Sequence, residues 1–151
     1  MVKVKFKLDG VFVEVEAMPY QTLFHLLKDS LGVQSVHFGC GQGACGSCTV
    51  LLNGKPRYSC LTLAGYVDGK EVVTLAGLAQ NGELNPIQRA FIENNAAQCG
   101  YCTPGIILTA KALLDKSSRP SDEEIFDALA GNLCRCTGYV SIVRAIKSLV
   151  R

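Results

Sequence analysis

The chain has 151 residues, of which 48% are hydrophobic and 19% charged, and its formal net charge is +2. This length allows one ordinary domain or two small ones and excludes a large catalytic barrel. The composition is globular rather than disordered, no apolar run is long enough to span a bilayer, and scattered basic residues argue against nucleic acid as a partner.

The first half of the chain predicts a small mixed sheet with one helix. Alternating apolar residues over positions 2–16, interrupted by Asp9-Gly10, predict a β-hairpin on a two-residue turn. Apolar residues at helical spacing predict a helix over residues 22–31, with Thr22 at its start and Gly32 as its stop. Two further short strands are expected at residues 49–52 and 71–74.

Beyond about residue 82 the strand signal disappears and four helices are predicted. Asn85 caps and Pro86 opens a helix to about residue 94, and Thr103 with Pro104 does the same for a helix to about residue 116. Ser121 and Glu124 form a capping box for a short helix that ends at Gly131, and residues 139–150 form the last helix. Four helices in this length predict a compact bundle. The two halves join at residues 77–82, where Gly, Gln and Asn cluster.

Eight cysteines are the unusual feature of the composition. The chain starts directly in strand-like alternation, without the basic segment, apolar stretch and cleavage site of an export signal, so we expect a cytoplasmic protein. In that reducing compartment cysteines bind metal more often than they form disulfides. Metal ligands are therefore favoured over structural disulfides.

The first four cysteines have the spacing C-x4-C-x2-C-x11-C: Cys40, Cys45, Cys48 and Cys60. This is the plant-type ferredoxin arrangement for a 2Fe-2S cluster. Four interleaved glycines, at positions 39, 41, 43 and 46, let the backbone turn its N–H groups toward sulfur. Zinc is a weaker alternative, because its sites are usually built from two C-x2-C pairs.

The second four cysteines form two close pairs, Cys99 with Cys102 and Cys134 with Cys136. Each pair precedes a predicted helix, whose positive end favours thiolates, and Arg135 adds a fixed charge. Spacing alone leaves a structural zinc site with four cysteines open beside an iron–sulfur cluster.

Three motifs together carry a family resemblance: GCGQGACGSCTV at residues 39–50 with Cys60, QCGYCTPG at residues 98–105, and GNLCRCTGY at residues 131–139. In this order they resemble the small iron–sulfur subunit of the xanthine oxidase family of molybdenum hydroxylases, over almost the whole chain. The resemblance implies an α+β fold, in which a plant-type ferredoxin (β-grasp) domain at residues 1–77 precedes a four-helix-bundle domain at residues 82–151. It also implies one 2Fe-2S cluster on each set of four cysteines, and so replaces the zinc interpretation of the second set.

The implied role is that of an electron-transfer subunit with no catalytic residues of its own. Single electrons would pass between a molybdopterin-type molybdenum cofactor in a large subunit and FAD in a medium subunit, and a dimer of such heterotrimers is expected, with no membrane or nucleic acid partner. The cluster on Cys99, Cys102, Cys134 and Cys136 would lie next to the pterin, which Gln98 would contact. A free two-cluster ferredoxin and a structural zinc protein are the alternatives.

Other polar and aromatic residues receive structural interpretations. His25 is expected to pack or to lie at the surface, and His37 is not expected to bind metal because eight cysteines already suffice for two clusters. Tyr101 and Tyr139, beside the cysteine motifs, are interpreted as interface or core residues. Lys3, Lys5 and Lys7 are expected to form a solvated strand face.

Overall fold

The computed structural model describes residues 1–150, in which five strands form one mixed sheet beside a group of helices. The strands are β1 (Val2–Leu8), β2 (Val11–Ala17), β3 (Thr49–Leu52), β4 (Lys55–Tyr58) and β5 (Glu71–Val73). Their order across the sheet is β2-β1-β5-β3-β4, and the β1–β5 pair is parallel while the other pairs are antiparallel. The predicted mixed sheet is confirmed.

The N-terminal hairpin forms as predicted. Asp9 and Gly10 both have positive φ, +48° and +88°, which suits a two-residue turn whose twist matches the strands. The Asp9 carboxylate accepts hydrogen bonds from the Thr74 amide at 2.6 Å and from the Thr74 hydroxyl at 2.7 Å. The turn is thereby tied to the end of β5.

The first helix starts as predicted but ends in a wider turn. Thr22 caps α1 (Leu23–His25), which continues directly into a π-helical turn at Leu26–Ser30. The Leu31 amide bonds to the Leu26 carbonyl, five residues back, at 3.1 Å. One such turn moves the apolar face by a single residue, so helical spacing in the sequence does not reveal it.

The strand β4 was not predicted from the sequence. Its four residues, KPRY, do not alternate between apolar and polar, and three of them are exposed because β4 lies at the edge of the sheet. A short 3-10 turn, Ser59–Leu61, follows it and carries Cys60. This strand therefore returns the chain to the loop that holds the other three cysteines of the first set.

The helices of the second half are α2 (Pro86–Glu93), α3 (Thr103–Lys116), α4 (Asp122–Leu129) and α5 (Val140–Lys147). The capping boxes that start α2 and α4, at Asn85 and Ser121, are present. The predicted cap at Thr103 is wrong: the Ile106 amide bonds to the Cys102 carbonyl, so the helix starts one residue earlier and Cys102 is its cap.

The last helix is shorter than predicted. Tyr139 has a left-handed backbone, φ +67°, and so lies before the helix rather than in it. At the other end, the amides of Leu149 and Val150 bond three residues back, which tightens the final turn after Lys147. The apolar spacing continues through both ends although the α-helical geometry does not.

Two hydrophobic cores lie on either side of the segment that joins the halves. The first is built by the sheet and α1, and the second by α2 to α5 together with Leu51 of β3. Between them, a 3-10 turn at Ala76–Leu78 is followed by reciprocal backbone hydrogen bonds between Gln80 and Glu83. Among the helices of residues 1–150, none has the length and apolar character needed to cross a membrane.

Candidate metal centres

The first set of cysteines occupies one loop and the 3-10 turn that faces it. Cys40, Cys45 and Cys48 lie between α1 and β3, and Cys60 follows β4. Cys48 and Cys60 are buried, whereas Cys40 and Cys45 are half-buried. The four cysteines therefore lie between the core of the sheet and the outer part of the loop. All eight cysteines of the chain are free of disulfide bonds.

Backbone amides of this loop point at its sulfurs. The amides of Gln42 and Ala44 donate to Cys40 Sγ at 3.4 and 3.2 Å, and the Cys40 amide donates to Cys45 Sγ at 3.3 Å. The hydrogen bonds from Gln42 and Ala44 lower the pKa of Cys40 to about 6. The loop is thus built to stabilise negative sulfur, as an iron–sulfur centre requires.

The glycine at position 39 makes this close approach possible. A Cβ placed there would lie 2.5 Å from Cys45 Sγ, so any side chain would displace the sulfur. Gly41 next to it has φ +68°, a conformation that side chains with a Cβ rarely adopt. The predicted reason for the glycine-rich loop therefore holds at both positions.

Cys60 shows the opposite electrostatics. Burial, together with the adjacent Cys48 thiol, raises the pKa of Cys60 to about 11. A thiolate at this position needs a compensating positive charge, which a bound metal supplies. The donor set therefore combines one outer thiol that ionises easily, Cys40, with one buried thiol that requires the metal, Cys60.

The second set of cysteines is also brought together, from two loops that lie 31 residues apart in sequence. Cys99 Sγ and Cys136 Sγ are 3.5 Å apart. Burial raises the pKa of Cys102 to about 12, and the neighbouring Cys134 thiol adds to the shift. Hydrogen bonding from the Tyr101 amide lowers the pKa of Cys99, which is exposed. Cys102 and Cys99 therefore show the same contrast as Cys60 and Cys40, whereas the hydrogen bond with Cys99 raises the pKa of the exposed Cys136.

Residues 1–150 contain no group of three or more His, Cys, Asp or Glu side chains placed to hold a single metal ion. A 2Fe-2S centre distributes four thiolates over two irons and two sulfides, so its ligands surround a larger volume than those of one ion. The cysteine-only donor sets and the inward amides fit such a group.

Tyr139 holds the loop of the second pair through its hydroxyl group. The hydroxyl donates to the Asn132 carbonyl at 2.9 Å and accepts from the Cys134 amide at 2.8 Å. The Thr137 hydroxyl lies 3.0 Å from Cys134 Sγ and accepts from the Tyr139 amide at 3.2 Å. These contacts offset the strain of a non-glycine residue at positive φ, which costs about 1–3 kcal/mol.

A buried asparagine joins the two sites; it lies within the motif at residues 131–139, but no role was predicted for it from the sequence. Asn132 is 3% exposed, and its Nδ2 donates to the Gly46 carbonyl at 3.1 Å. Its Oδ1 accepts from the Thr109 hydroxyl at 2.9 Å. The next residue, Leu133, donates its amide to the Cys45 carbonyl at 2.8 Å. Cys45, a ligand candidate of the first set, is thus hydrogen-bonded to Leu133, which directly precedes Cys134, a ligand candidate of the second set.

His37 and Tyr101 make a second connection between the sites. His37 Nδ1 lies 2.7 Å from the Tyr101 carbonyl, and the two rings stack with centroids 4.7 Å apart. The Tyr101 hydroxyl donates to the Phe38 carbonyl. His25, by contrast, is exposed and contacts Thr22 and Phe38, as a packing role predicts.

Exposed residues surround the outer edge of the second site. Gln98 and Arg135 are exposed, as are the thiol-bearing residues Cys99 and Cys136 beside them. The predicted pterin contact at Gln98 therefore lies on a surface that a partner can reach.

Comparisons with known proteins match both halves of the chain. Residues 11–98 match a family described as "2Fe-2S iron-sulfur cluster binding domain", and residues 74–147 match a "[2Fe-2S] binding domain". The nicotinate dehydrogenase small FeS subunit of Eubacterium barkeri is 47% identical over 99% of this chain and 95% of its own. The xanthine dehydrogenase iron-sulfur-binding subunit of Escherichia coli O157:H7 is 43% identical over 96% and 92%.

Solved structures show the same similarity. Quinoline 2-oxidoreductase from Pseudomonas putida 86 superposes with a TM-score of 0.93 at 39% identity, covering 96% of this chain and 90% of that chain. The aldehyde oxidoreductase of Desulfovibrio desulfuricans gives 0.95 at 39% identity, covering 99% of this chain but 17% of that one. The same fold therefore occurs both as a separate chain and as part of a longer one.

Proposed function

Because the chain belongs to the small iron–sulfur subunits of the xanthine oxidase family of molybdenum hydroxylases, we propose that it carries single electrons between a molybdopterin site and FAD in partner subunits. Its relatives are subunits of dehydrogenase and oxidoreductase complexes, and this chain is a non-catalytic subunit of that kind. We propose two points beyond this family membership: the electron route through two clusters and the identity of the two partners.

The observation that supports the proposal is the close contact of thiols within each predicted set: Cys40 with Cys45, Cys48 with Cys60, Cys99 with Cys136 and Cys102 with Cys134. We assign one 2Fe-2S cluster to Cys40, Cys45, Cys48 and Cys60, and a second to Cys99, Cys102, Cys134 and Cys136. Residues 1–77 would form a plant-type ferredoxin-like domain and residues 82–151 a four-helix-bundle domain, although Arg151 lies outside the described residues. The separate cores of the two halves support this division.

Each cluster, when bound, accepts and releases one electron at a time. This chain's residues set the conditions for that exchange. The amides of Gln42 and Ala44 stabilise the added negative charge near Cys40, and buried Cys48 and Cys60 keep water from the inner side. The different surroundings of the two sites favour two distinguishable reduction potentials.

We assign the outer edge of the second site to the molybdopterin-bearing large subunit, where Gln98 would hydrogen-bond the pterin beside Cys99 and Cys136. The exposure of all three residues supports this side. Replacing Gln98 with alanine should reduce retention of the pterin cofactor in the purified complex and leave both cluster signals unchanged. Gln80→Ala, at another exposed glutamine, is the matched control. Unchanged cofactor retention in Gln98→Ala would contradict the assignment.

We further propose that the large subunit, a medium FAD-binding subunit and this chain assemble in the cytoplasm as a dimer of heterotrimers. Purification from the native source tests this assembly: molybdenum and flavin should co-purify with the chain. Isolation of the chain without either would favour a free two-cluster ferredoxin. Iron and inorganic sulfide analysis, with low-temperature EPR of the reduced protein, should show two inequivalent 2Fe-2S signals, whereas zinc without sulfide would refute both cluster assignments.

A further inference from the structure

His37 and Tyr101 connect the two cysteine sites at a point where neither residue is a ligand candidate. His37 lies three residues before Cys40, and Tyr101 lies between Cys99 and Cys102. We infer that this pair is a positioning clamp that fixes the distance and orientation between the two cluster sites. The inference rests on the proposed function, because it assumes a cluster at each site.

The clamp consists of two hydrogen bonds that run in opposite directions and one contact between stacked rings. A carbonyl oxygen accepts but does not donate, so His37 Nδ1 carries the proton in its 2.7 Å hydrogen bond to the Tyr101 carbonyl. The Tyr101 hydroxyl donates in the opposite direction, to the Phe38 carbonyl. The stacked rings, inclined by 22°, fill the space between these bonds. Two hydrogen bonds and a ring contact together restrict sliding, rotation and separation.

Both ends of the clamp are attached to structure that carries ligand candidates. Phe38 packs against Phe24, a core residue of α1, with ring centroids 5.2 Å apart, so the His37 side is anchored to the first core. The Tyr101 side belongs to an exposed loop, in which Gln98 and Cys99 are also exposed. The clamp therefore connects the exposed loop that carries Tyr101 and Cys99 to the hydrophobic core of the first half.

A second attachment explains why the clamp affects orientation. The other loop of the second site is fixed to the first by the Leu133 amide on the Cys45 carbonyl and by Asn132 on Gly46. One attachment point leaves two bodies free to rotate about it in every direction, whereas a second, separate point restricts that rotation to the axis through both. Because electron transfer between centres falls steeply with their separation, a fixed geometry gives a uniform rate.

The test uses the full chain in its cluster-loaded complex and measures the magnetic interaction between the two reduced clusters by low-temperature EPR. His37→Ala removes the hydrogen bond and the ring contact, and we expect loss of the resolved splitting while both individual signals and the iron content persist. Tyr101→Phe keeps the ring and removes the hydroxyl bond, and a partly broadened splitting is expected. Tyr66→Phe, at an exposed tyrosine of the first half, is the matched control and should leave the splitting unchanged.

The outcomes separate the clamp from the proposed function. Absence of iron–sulfur signals in the unmodified protein refutes the proposed function. Two normal signals with an unchanged splitting in His37→Ala and Tyr101→Phe refute the clamp alone. If His37→Ala loses either cluster, the milder His37→Phe variant decides: retained clusters with a lost or broadened splitting support the clamp, and an unchanged splitting overturns it.

Discussion

Replacing Gly105 with alanine sets a helix preference against a steric contact between the two halves. Gly105 is buried in the first turn of α3, and a Cβ there would lie 2.3 Å from the Gly46 carbonyl oxygen. That oxygen accepts from the Thr49 amide at 3.1 Å, the Thr49 hydroxyl at 2.7 Å and Asn132 Nδ2 at 3.1 Å. The added methyl group therefore meets a backbone atom that three donors hold in place.

The magnitudes decide the sign of the effect. Glycine to alanine in a helix gains at most about 1 kcal/mol of intrinsic preference. Overpacking costs about 1–3 kcal/mol, and displacing the Gly46 carbonyl from Asn132 costs about 1 kcal/mol more. With an overpacking cost near 2 kcal/mol, the net loss for Gly105→Ala is about 2 kcal/mol.

Thermal unfolding of the cluster-loaded chain, followed by far-UV circular dichroism, measures this loss. We expect the Tm of Gly105→Ala to fall by about 4–8 °C for a chain of this size. The control is Gly65→Ala, because a Cβ at that glycine meets no atom within 4 Å. Its Tm should stay within about 2 °C of the unmodified chain. A Gly105→Ala chain as stable as the unmodified one would refute the steric argument.

Three further predictions concern the two cysteine sites and the hydrogen bonds of Asn132 between them. Cys136→Ser should remove the second EPR signal and retain the first; loss of both would mean that the two halves do not fold independently. Asn132→Ala removes three hydrogen bonds and should destabilise the chain by about 3 kcal/mol in urea unfolding. Combined with Thr109→Ala, the total should fall short of additivity by about 1 kcal/mol, because one bond is shared, and full additivity would argue against that bond. In the metal-free chain, a pKa of about 6 keeps Cys40 mostly thiolate at pH 7, so iodoacetamide should label it well before Cys60, whose pKa is about 11. As pH falls through 6 that advantage should disappear, and equal labelling at pH 7 would contradict the amide hydrogen bonds to Cys40.

Local spacing in the sequence predicted most of the architecture. The Asp9-Gly10 turn, the caps at Asn85 and Ser121, and the strands β3 and β5 depend on neighbours within a few residues, so their signals are present in short windows. The cysteine spacing likewise predicted two separate sets of four, which the structure brings together. Their identification as cluster ligands remains a prediction.

Contacts between distant residues were the ones that the sequence could not reveal. Strand β4 is a local exception: it pairs with the neighbouring strand β3, but it lies at a sheet edge, where exposed residues such as Arg57 show no apolar alternation. Asn132 is buried by groups that lie 23 and 86 residues away, and a single asparagine has no periodicity. His37 and Tyr101 are separated by 64 residues, and each alone resembles an ordinary loop residue.

The close contacts of glycines between the two halves restrict how this protein can change during evolution. A side chain that outgrows its neighbour can be accommodated when the neighbour shrinks by a compensating substitution. A Cβ at Gly105 would meet the Gly46 carbonyl, and a Cβ at Gly46 would meet the Gly131 carbonyl at 2.3 Å. Every residue type has a backbone carbonyl, so no second substitution can make room. These glycines can therefore be replaced only together with a backbone rearrangement, while the exposed surfaces of both halves remain free to diverge toward different partners.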